Sequence, residues 1–311
     1  MSHLIERAAE RIELLGLTGA VKGGRARTRL APEGRAEPAL QEPDLRQSQD
    51  SQRHHSANST DVSRGEIAQP NHVKLDLGAL AAAGMGHTPG SRLTDEFRII
   101  KRPLLRNVMG RGGTSIANGN LIMVTSALPG EGKSFTAVNL ALSISAEINY
   151  KVMLVDADVV RPSILQRLGI PLKLGLLDVL QDESIDLSKV LLRTNIEKLS
   201  ILPAGTPCAA ATELLASDAM AALLDEMANR YSDRILVFDS PPLLLTTESH
   251  VLASHMGQIV VVVNTGHTLQ KDVSQALATI EDCPVKMIVL NKVRTTSPVG
   301  YGYGYALQDD R

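Results

Sequence analysis

The chain has 311 residues, a formal net charge of −2 at pH 7 and two cysteines, Cys208 and Cys283. This length allows a sizeable core in one or two domains, the near-neutral charge argues against a nucleic-acid partner, and two cysteines make no disulfide framework. The sequence contains neither the roughly 18-residue apolar run of a membrane-spanning helix nor the apolar core of a secretory signal. It therefore predicts a cytoplasmic protein without a membrane span of its own.

The first 72 residues divide into two segments. Residues 1–16 contain a short amphipathic helical pattern, which fits either a solvated helix or a docking helix, since so short a helix is marginal alone. Its apolar face is formed by Leu4, Ala8, Ile12 and Leu15. Residues 17–72 are rich in Arg, Gln, Ser, Pro and Glu and contain no aromatic residue, so they predict a disordered linker.

Residues 73–298 are predicted to form the folded domain. It begins with a helix at 93–108 that is expected to break or kink at Pro103. Apolar runs then predict strands at 120–125, 151–155, 199–202, 234–238, 258–263 and 285–290. The intervening patterns predict helices at 133–147, 163–168, 175–181, 212–229, 247–254 and 268–281. This alternation predicts an α/β fold with a mostly parallel sheet and helices on both faces, with ligands beyond the carboxyl ends of the strands.

The most informative motif follows the first of these strands and precedes a helix: Ala127-Leu-Pro-Gly-Glu-Gly-Lys-Ser134. Strand, glycine-rich loop and helix are the setting of a phosphate-binding loop, whose backbone amides form an anion site. Lys133 would reach the β- and γ-phosphates, and Ser134 would hold Mg²⁺. A structural glycine-rich turn is the alternative. The predicted nucleotide contacts in this segment are Pro129, Gly130, Glu131, Gly132, Lys133, Ser134 and Phe135.

Three aspartates follow apolar strands. Asp156 and Asp158 end the strand at 151–155, and Asp239 ends the strand at 234–238. A single aspartate there is commonly a turn former or helix cap, but three beside a phosphate loop indicate Mg²⁺ ligands and a proton acceptor.

The last predicted segment, residues 299–311, contains a tyrosine cluster. Glycine alternates with Tyr301, Tyr303 and Tyr305, which predicts a flexible tail with accessible hydroxyls. On composition alone, an adhesive aromatic tail or an edge strand is the favoured interpretation.

Taken together, the motifs resemble the bacterial tyrosine kinases of polysaccharide synthesis, a branch of the deviant-Walker P-loop ATPases that includes the MinD and ParA types. The resemblance covers about residues 93–305. Its three nucleotide motifs correspond to 127–134, 152–161 and 235–239. The segments Ser2-His-Leu-Ile-Glu-Arg-Ala8 and Phe97-Arg-Ile-Ile-Lys-Arg-Pro-Leu-Leu105 resemble the exosortase-associated autokinase subgroup.

The resemblance implies an ATP-dependent protein-tyrosine autokinase that phosphorylates Tyr301, Tyr303 and Tyr305, in trans, and regulates exopolysaccharide synthesis or export. It implies ATP held by the phosphate loop, Mg²⁺ held by Ser134, Asp158 and Asp239, and Lys133, Asp156 and Asp158 as catalytic residues. Asp156 is the implied base for the tyrosine hydroxyl. Asn291 resembles the family's adenine-contacting asparagine, although a strand-terminating turn residue is the alternative.

Departures from the family pattern bear on function. Leu128 stands where MinD- and ParA-type proteins have a signature lysine, which favours the kinase branch, and Arg161 lies three residues after Asp158 instead of two. The family's self-association motif is imperfectly present as Glu96, Arg98, Lys101 and Arg106.

The implied partners are further copies of this chain in a homo-oligomer. Because the self-association motif is imperfect, assembly into a ring is a weaker prediction than ATP binding. A separate membrane-anchored polysaccharide co-polymerase would recruit the chain to the inner face of the plasma membrane, with residues 1–16 as the docking candidate. Two alternatives remain open at this stage. One is a ParA/MinD-like ATPase without tyrosine kinase activity, and the other is a nucleotide-binding adaptor of an export complex.

Overall fold

The computed structural model describes residues 71–86, 90–110, 116–231 and 233–293. The predicted N-terminal helix, nearly all of the predicted linker and the tyrosine cluster therefore lie outside the described residues. At the other end of the linker, the first described strand already includes His72.

A single sheet organises the described residues. Its strands are β1 His72–Val73, β2 Leu121–Ser126, β3 Lys151–Asp156, β4 Leu192–Thr194, β5 Leu199–Leu202, β6 Arg234–Asp239, β7 Gln258–Asn264 and β8 Val285–Asn291. Their spatial order is β1-β4-β5-β3-β6-β2-β7-β8. Only the β4–β5 pair is antiparallel among these strands, which confirms the predicted mostly parallel sheet.

Helices cover both faces of this sheet. They are α1 Leu77–Ala82, α2 Arg92–Val108, α3 Lys133–Ser145, α4 Ile164–Arg167, α5 Leu176–Gln181, α6 Leu187–Val190, α7 Ala211–Leu215, α8 Asp218–Arg230, α9 Glu248–Ser254 and α10 Gln270–Ala278. The core consists of two apolar clusters, one on each face, because alternate residues of the buried strands point to opposite sides. Helix α3 is buried along nearly its whole length, between the sheet and α2.

The six predicted strands are confirmed to within one residue at each end, but the single helix predicted at 212–229 and the break predicted at Pro103 were wrong. The predicted helix 212–229 is two helices, because the Ser217 hydroxyl accepts a hydrogen bond from the Met220 amide and starts α8 anew. Helix α2 continues through Pro103 without a break. The carbonyl that loses its hydrogen bond belongs to Ile99, which is exposed and can be solvated.

The topology gathers the predicted motifs at one edge of the sheet. β2, β3 and β6 are neighbours, and Asp239 pairs in register with both Val124 and Asp156. The carboxyl ends of these parallel strands therefore meet, and the phosphate loop follows β2 at the same edge. Within the described part of the chain, no helix is both long and apolar enough to cross a bilayer.

Candidate active site

The loop between β2 and α3 has the backbone geometry that anion binding requires. Gly130 and Gly132 have φ angles of 78° and 103°, in the left-handed region that favours glycine. A Cβ on Gly132 would also clash with Asn291 Nδ2, so a larger residue would require the Asn291 side chain to move. Among the described residues, no acceptor takes the amides of residues 130–135, which leaves these donors for a bound anion.

Glu131 fixes the shape of this loop from inside. Its buried carboxylate accepts a hydrogen bond from the Leu128 amide at 2.7 Å and another from the Thr268 hydroxyl. The Asn264 amide, at the end of β7, lies 3.5 Å from the same carboxylate. Sequence reasoning placed Glu131 among the nucleotide contacts, and the structure turns its side chain away from the loop's cavity and toward β7.

Lys133 is held by a carboxylate at the mouth of the loop. Its ammonium forms a buried ion pair with Asp158, the second aspartate after β3. An incoming phosphate would compete with Asp158 for the same ammonium. The structure thus brings the lysine and one of the predicted Mg²⁺ ligands together.

Asp239 is a buried carboxyl without a counter-ion in contact. The structure describes no hydrogen-bond partner within normal distance for either of its carboxylate oxygens. Burial raises its pKa to about 6, and the neighbouring Asp158 adds to the rise, while the charge of Lys133 and the Ser134 hydroxyl oppose it.

These donors fit a magnesium ion. Mg²⁺ prefers oxygen ligands, keeps several waters and is usually held by one or two carboxylates together with substrate phosphates. Ser134, Asp158 and Asp239 offer such a set. No group of three or more His, Cys, Asp or Glu within the described ranges could hold a metal by itself, so phosphates and water would complete the coordination.

Asp156 lies apart from the phosphate-loop cavity. It is 1% exposed, and one carboxylate oxygen accepts hydrogen bonds from the amides of Ser163 (3.2 Å) and Ile164 (3.0 Å), at the start of α4. The other oxygen has no partner in the described structure. Burial, followed by the charge of Asp239, raises the pKa of Asp156 to about 8. Asp156 borders a second cavity, of about 300 Å³, which Pro162 and Leu165 also line.

The main cavity, of about 860 Å³, opens beside the loop and collects most of the predicted site. The predicted site residues that line this cavity are Pro129, Gly130, Gly132, Lys133, Ser134, Phe135, Asp158 and Asn291. Asn291 donates from Nδ2 to the Glu131 carbonyl at 2.8 Å, so its side chain contacts the loop. Its role toward adenine stays a prediction.

Sequence reasoning missed two basic residues of this cavity. Lys292 donates to the Gly130 carbonyl at 2.7 Å, and its position directly after Asn291 could have indicated it. Arg167, at the end of α4, is exposed toward the cavity and lowers the pKa of Asp239. No motif marks Arg167, since a lone arginine in a four-residue helix gives no sequence signal.

Comparisons with known proteins agree with this geometry. Residues 119–291 match the AAA domain family. Tyrosine-protein kinase YwqD of Bacillus subtilis is 31% identical over 191 residues, which cover 61% of this chain and 78% of that protein. Tyrosine-protein kinase wzc of Salmonella typhimurium is 29% identical over 62% of this chain, which spans only 27% of wzc.

Solved structures give the same result for the fold. The kinase domain of Escherichia coli tyrosine kinase ETK superposes with a TM-score of 0.59 and 28% identity, over 70% of this chain and 82% of that domain. The chimerical protein CapA2B2 gives a TM-score of 0.59 and 27% identity, over 72% of this chain and 94% of that chain. The chain carries an AAA domain and belongs to the bacterial tyrosine kinases, so it is a protein-tyrosine kinase.

Proposed function

We propose that this kinase uses ATP to phosphorylate its own tyrosine cluster, Tyr301, Tyr303 and Tyr305, and that it does so between copies of the chain. The observation that carries the proposal is the meeting of the open loop amides, Lys133 and Asp158 in one cavity, with Asp239 buried close to Lys133 and Asp158. Such an arrangement suits phosphoryl transfer, which depends on positioning and on neutralising charge.

Each group has a distinct role in this proposal. The loop amides and Lys133 bind the phosphates of ATP, and Lys133 exchanges Asp158 for a phosphate as it does so. Mg²⁺ held by Ser134, Asp158 and Asp239 would neutralise the phosphate charge when bound. Asn291 is proposed to contact the adenine, which requires its side chain to leave the Glu131 carbonyl.

Asp156 is the proposed proton acceptor. A tyrosine hydroxyl has a pKa near 10, so a carboxylate beside it helps to take up its proton. Burial favours the protonated form of Asp156, so the proposed role requires its ionised form, which a bound cation would stabilise. The bond between the γ-phosphorus and the bridging oxygen breaks, the tyrosine oxygen bonds to that phosphorus, ADP leaves, and Asp156 takes the hydroxyl proton. Because Asp156 is 1% exposed, the hydroxyl reaches it only after a local rearrangement of the chain around it.

The proposed setting is exopolysaccharide synthesis or export. The resemblance to the polysaccharide kinases supports it, and it also suggests a membrane-anchored co-polymerase as the activating partner at the inner face of the plasma membrane. Residues 1–16 are the proposed docking segment. A chain lacking these residues that still binds the partner's cytoplasmic segment with the same affinity would contradict this assignment.

Intact mass before and after incubation with Mg·ATP tests the kinase proposal. The wild-type chain should gain up to three phosphates, while Lys133→Ala and the triple variant Tyr301→Phe/Tyr303→Phe/Tyr305→Phe should gain none. ATP turnover without any gain of mass, even with the partner's cytoplasmic segment present, would instead support a positioning ATPase.

A further inference from the structure

Strand β8 is the outermost strand on its side of the sheet. It pairs with β7 along Val285–Asn291, and no described strand pairs with its outer edge. An edge of seven residues presents a row of backbone donors and acceptors that can bind another extended segment. Proteins usually cover or interrupt such an edge.

One face of β8 is also exposed and apolar. Met287 and Val289 pack toward the core, whereas the alternate residues Ile288 and Leu290 are 47% and 61% exposed. Val293, just after the strand, is 48% exposed. The uncovered surface therefore combines an outer strand edge with an apolar stripe, which we call the β8 surface, defined by residues 286–290.

The chain leaves β8 in a turn. Lys292 has a φ angle of 57°, an uncommon left-handed conformation for a residue other than glycine, and this ends the strand. Residues 294–311 follow, and within them Val299, Tyr301, Tyr303 and Tyr305 recur at every second position. A period of two places these side chains on one face of an extended strand. The segment 299–305 has the same length as β8.

We propose that residues 299–305 fold back along β8 as an additional antiparallel strand, with the tyrosine rings on the β8 surface. A register that sets Tyr301 beside Leu290 and Tyr303 beside Ile288 puts the aromatic face on the apolar stripe. The connection of residues 293–298 is short, so its closure costs little entropy. The amphipathic segment 1–16 fits less well, because a strand edge binds an extended segment and not a helix.

Docking would control access to the acceptors. Tyrosines seated on β8 are held away from the phosphate-loop cavity, and a phosphate on Tyr303 would place about −1.5 to −2 charges beside Ile288. The unmodified tail would therefore be the docked form and the phosphorylated tail the released form. This regulatory consequence rests on the proposed autophosphorylation, whereas the docking itself does not.

Hydrogen exchange of β8 tests the docking without any nucleotide. Three phosphatase-treated proteins are compared: the full chain, a chain cut after residue 306 and a chain cut after residue 293. We expect the β8 amides to exchange about tenfold more slowly in the first two than in the third. Tyr303→Glu should abolish the protection, and its matched control Tyr303→Phe should keep it.

Three results would overturn the proposal. The first is equal β8 exchange in all three chains. The second is protection that rises with protein concentration, which would assign the edge to a second copy of the chain. The third is equal protection in Tyr303→Phe and Tyr303→Glu, since the ring would then not be seated on Ile288. All of these readings are independent of whether the chain phosphorylates itself.

Discussion

Three aspartates and one lysine are buried at the carboxyl edge of the sheet, and this imbalance is the main electrostatic property of the site at the scale of single residues. Lys133 pairs with Asp158, while Asp156 and Asp239 have no ion pair in the described structure. Burial therefore favours their protonated forms, and the pKa values rise to about 8 and about 6. The free protein holds these carboxyls at a cost in stability that a bound cation would offset.

A pH dependence of folding follows for the nucleotide-free protein. The ordinary pKa of an aspartate is 3.8, so between about pH 4 and the raised folded pKa the native state binds a proton that the unfolded chain lacks. Rising pH across that window therefore lowers the free energy of unfolding. Asp156→Asn keeps an oxygen for the Ser163 and Ile164 amides but removes the titration, and should flatten the decline.

Urea unfolding midpoints at several values from about pH 5 to about pH 8 measure this effect. The wild-type midpoint should fall with pH more steeply than that of Asp156→Asn, and the variant should gain most, relative to wild type, at the upper end. The control Asp225→Asn, at an exposed position, should retain the wild-type slope. Equal slopes for wild type and Asp156→Asn would show that burial does not shift this carboxyl.

Glu131 carries a second prediction at this scale. Its carboxylate faces three donors: the Leu128 amide, the Thr268 hydroxyl and the Asn264 amide. Glu131→Gln would turn an NH₂ group toward at least one of these donors, leaving buried groups unpaired at a cost of about 1–3 kcal/mol. We expect a lower free energy of unfolding and weaker ATP binding, because the loop loses its attachment to β7.

Urea unfolding together with ATP titration checks this prediction. Glu213→Gln is the matched control, since the same chemical change at an exposed position should alter neither quantity. If Glu131→Gln were as stable as the control, the inward carboxylate would not be what holds the loop.

At the scale of helices and strands, the sequence predicted the elements that have a clear hydrophobic pattern and missed several of the shortest ones. Strands β2, β3, β5, β6 and β7 are runs of mostly buried, apolar residues, so hydrophobicity alone located them. The strands β1 and β4 have two and three residues, too few for a period to be read. Helix α6, of four residues, escaped for the same reason, although its Asp186 cap was readable.

In the candidate site, too, the sequence predicted the residues that belong to a local motif and missed those placed by distant contacts. Lys133, Ser134 and Asp158 were found because a motif ties their chemistry to their spacing, and the structure gathers them in one cavity. The inward turn of Glu131 and the cavity position of Arg167 depend on contacts distant in sequence, which no local pattern encodes.

The attachment of α2 to α3 gives a prediction for an element. Lys101 is buried, donates to the Ser143 carbonyl at 2.5 Å and pairs with Glu147 at 2.8 Å, which lowers the pKa of Glu147. Lys101→Ala removes both contacts. Because Glu147 keeps some access to solvent, we expect a loss of about 2 kcal/mol, less than the roughly 3–5 kcal/mol that breaking a fully buried pair costs.

Arg98→Ala is the control for Lys101→Ala in urea unfolding. Arg98 pairs with Asp95 at 2.8 Å on the exposed face of α2, where such pairs contribute about 0.5 kcal/mol or less. Equal losses in the two variants would mean that the Lys101 contacts do not attach α2 to α3.

The burial of Lys101 bears on how copies of the whole molecule would assemble. Of the four residues that resemble the self-association motif, Lys101 is committed to contacts within the chain. Glu96, Arg98 and Arg106 lie on the exposed side of α2. Glu96 and Arg98 form exposed ion pairs with Arg92 and Asp95, which a second copy can reach and replace, unlike the buried contacts of Lys101. Contact between copies is therefore proposed to use three charged residues of this motif instead of four.

Phosphorylation between copies can be separated from phosphorylation within one copy by mixing two variants. Lys133→Ala keeps the acceptor tyrosines but loses the ammonium that binds phosphate, and the triple Tyr→Phe variant keeps the site but lacks acceptors. In a mixture with Mg·ATP, transfer in trans should place phosphate on the Lys133→Ala protein, at a rate that rises with the concentration of the triple variant. Intact mass assigns the phosphate, because the two proteins differ in mass. Wild-type chains that gain phosphate at a concentration-independent rate, with none on Lys133→Ala in the mixture, would place transfer within one copy.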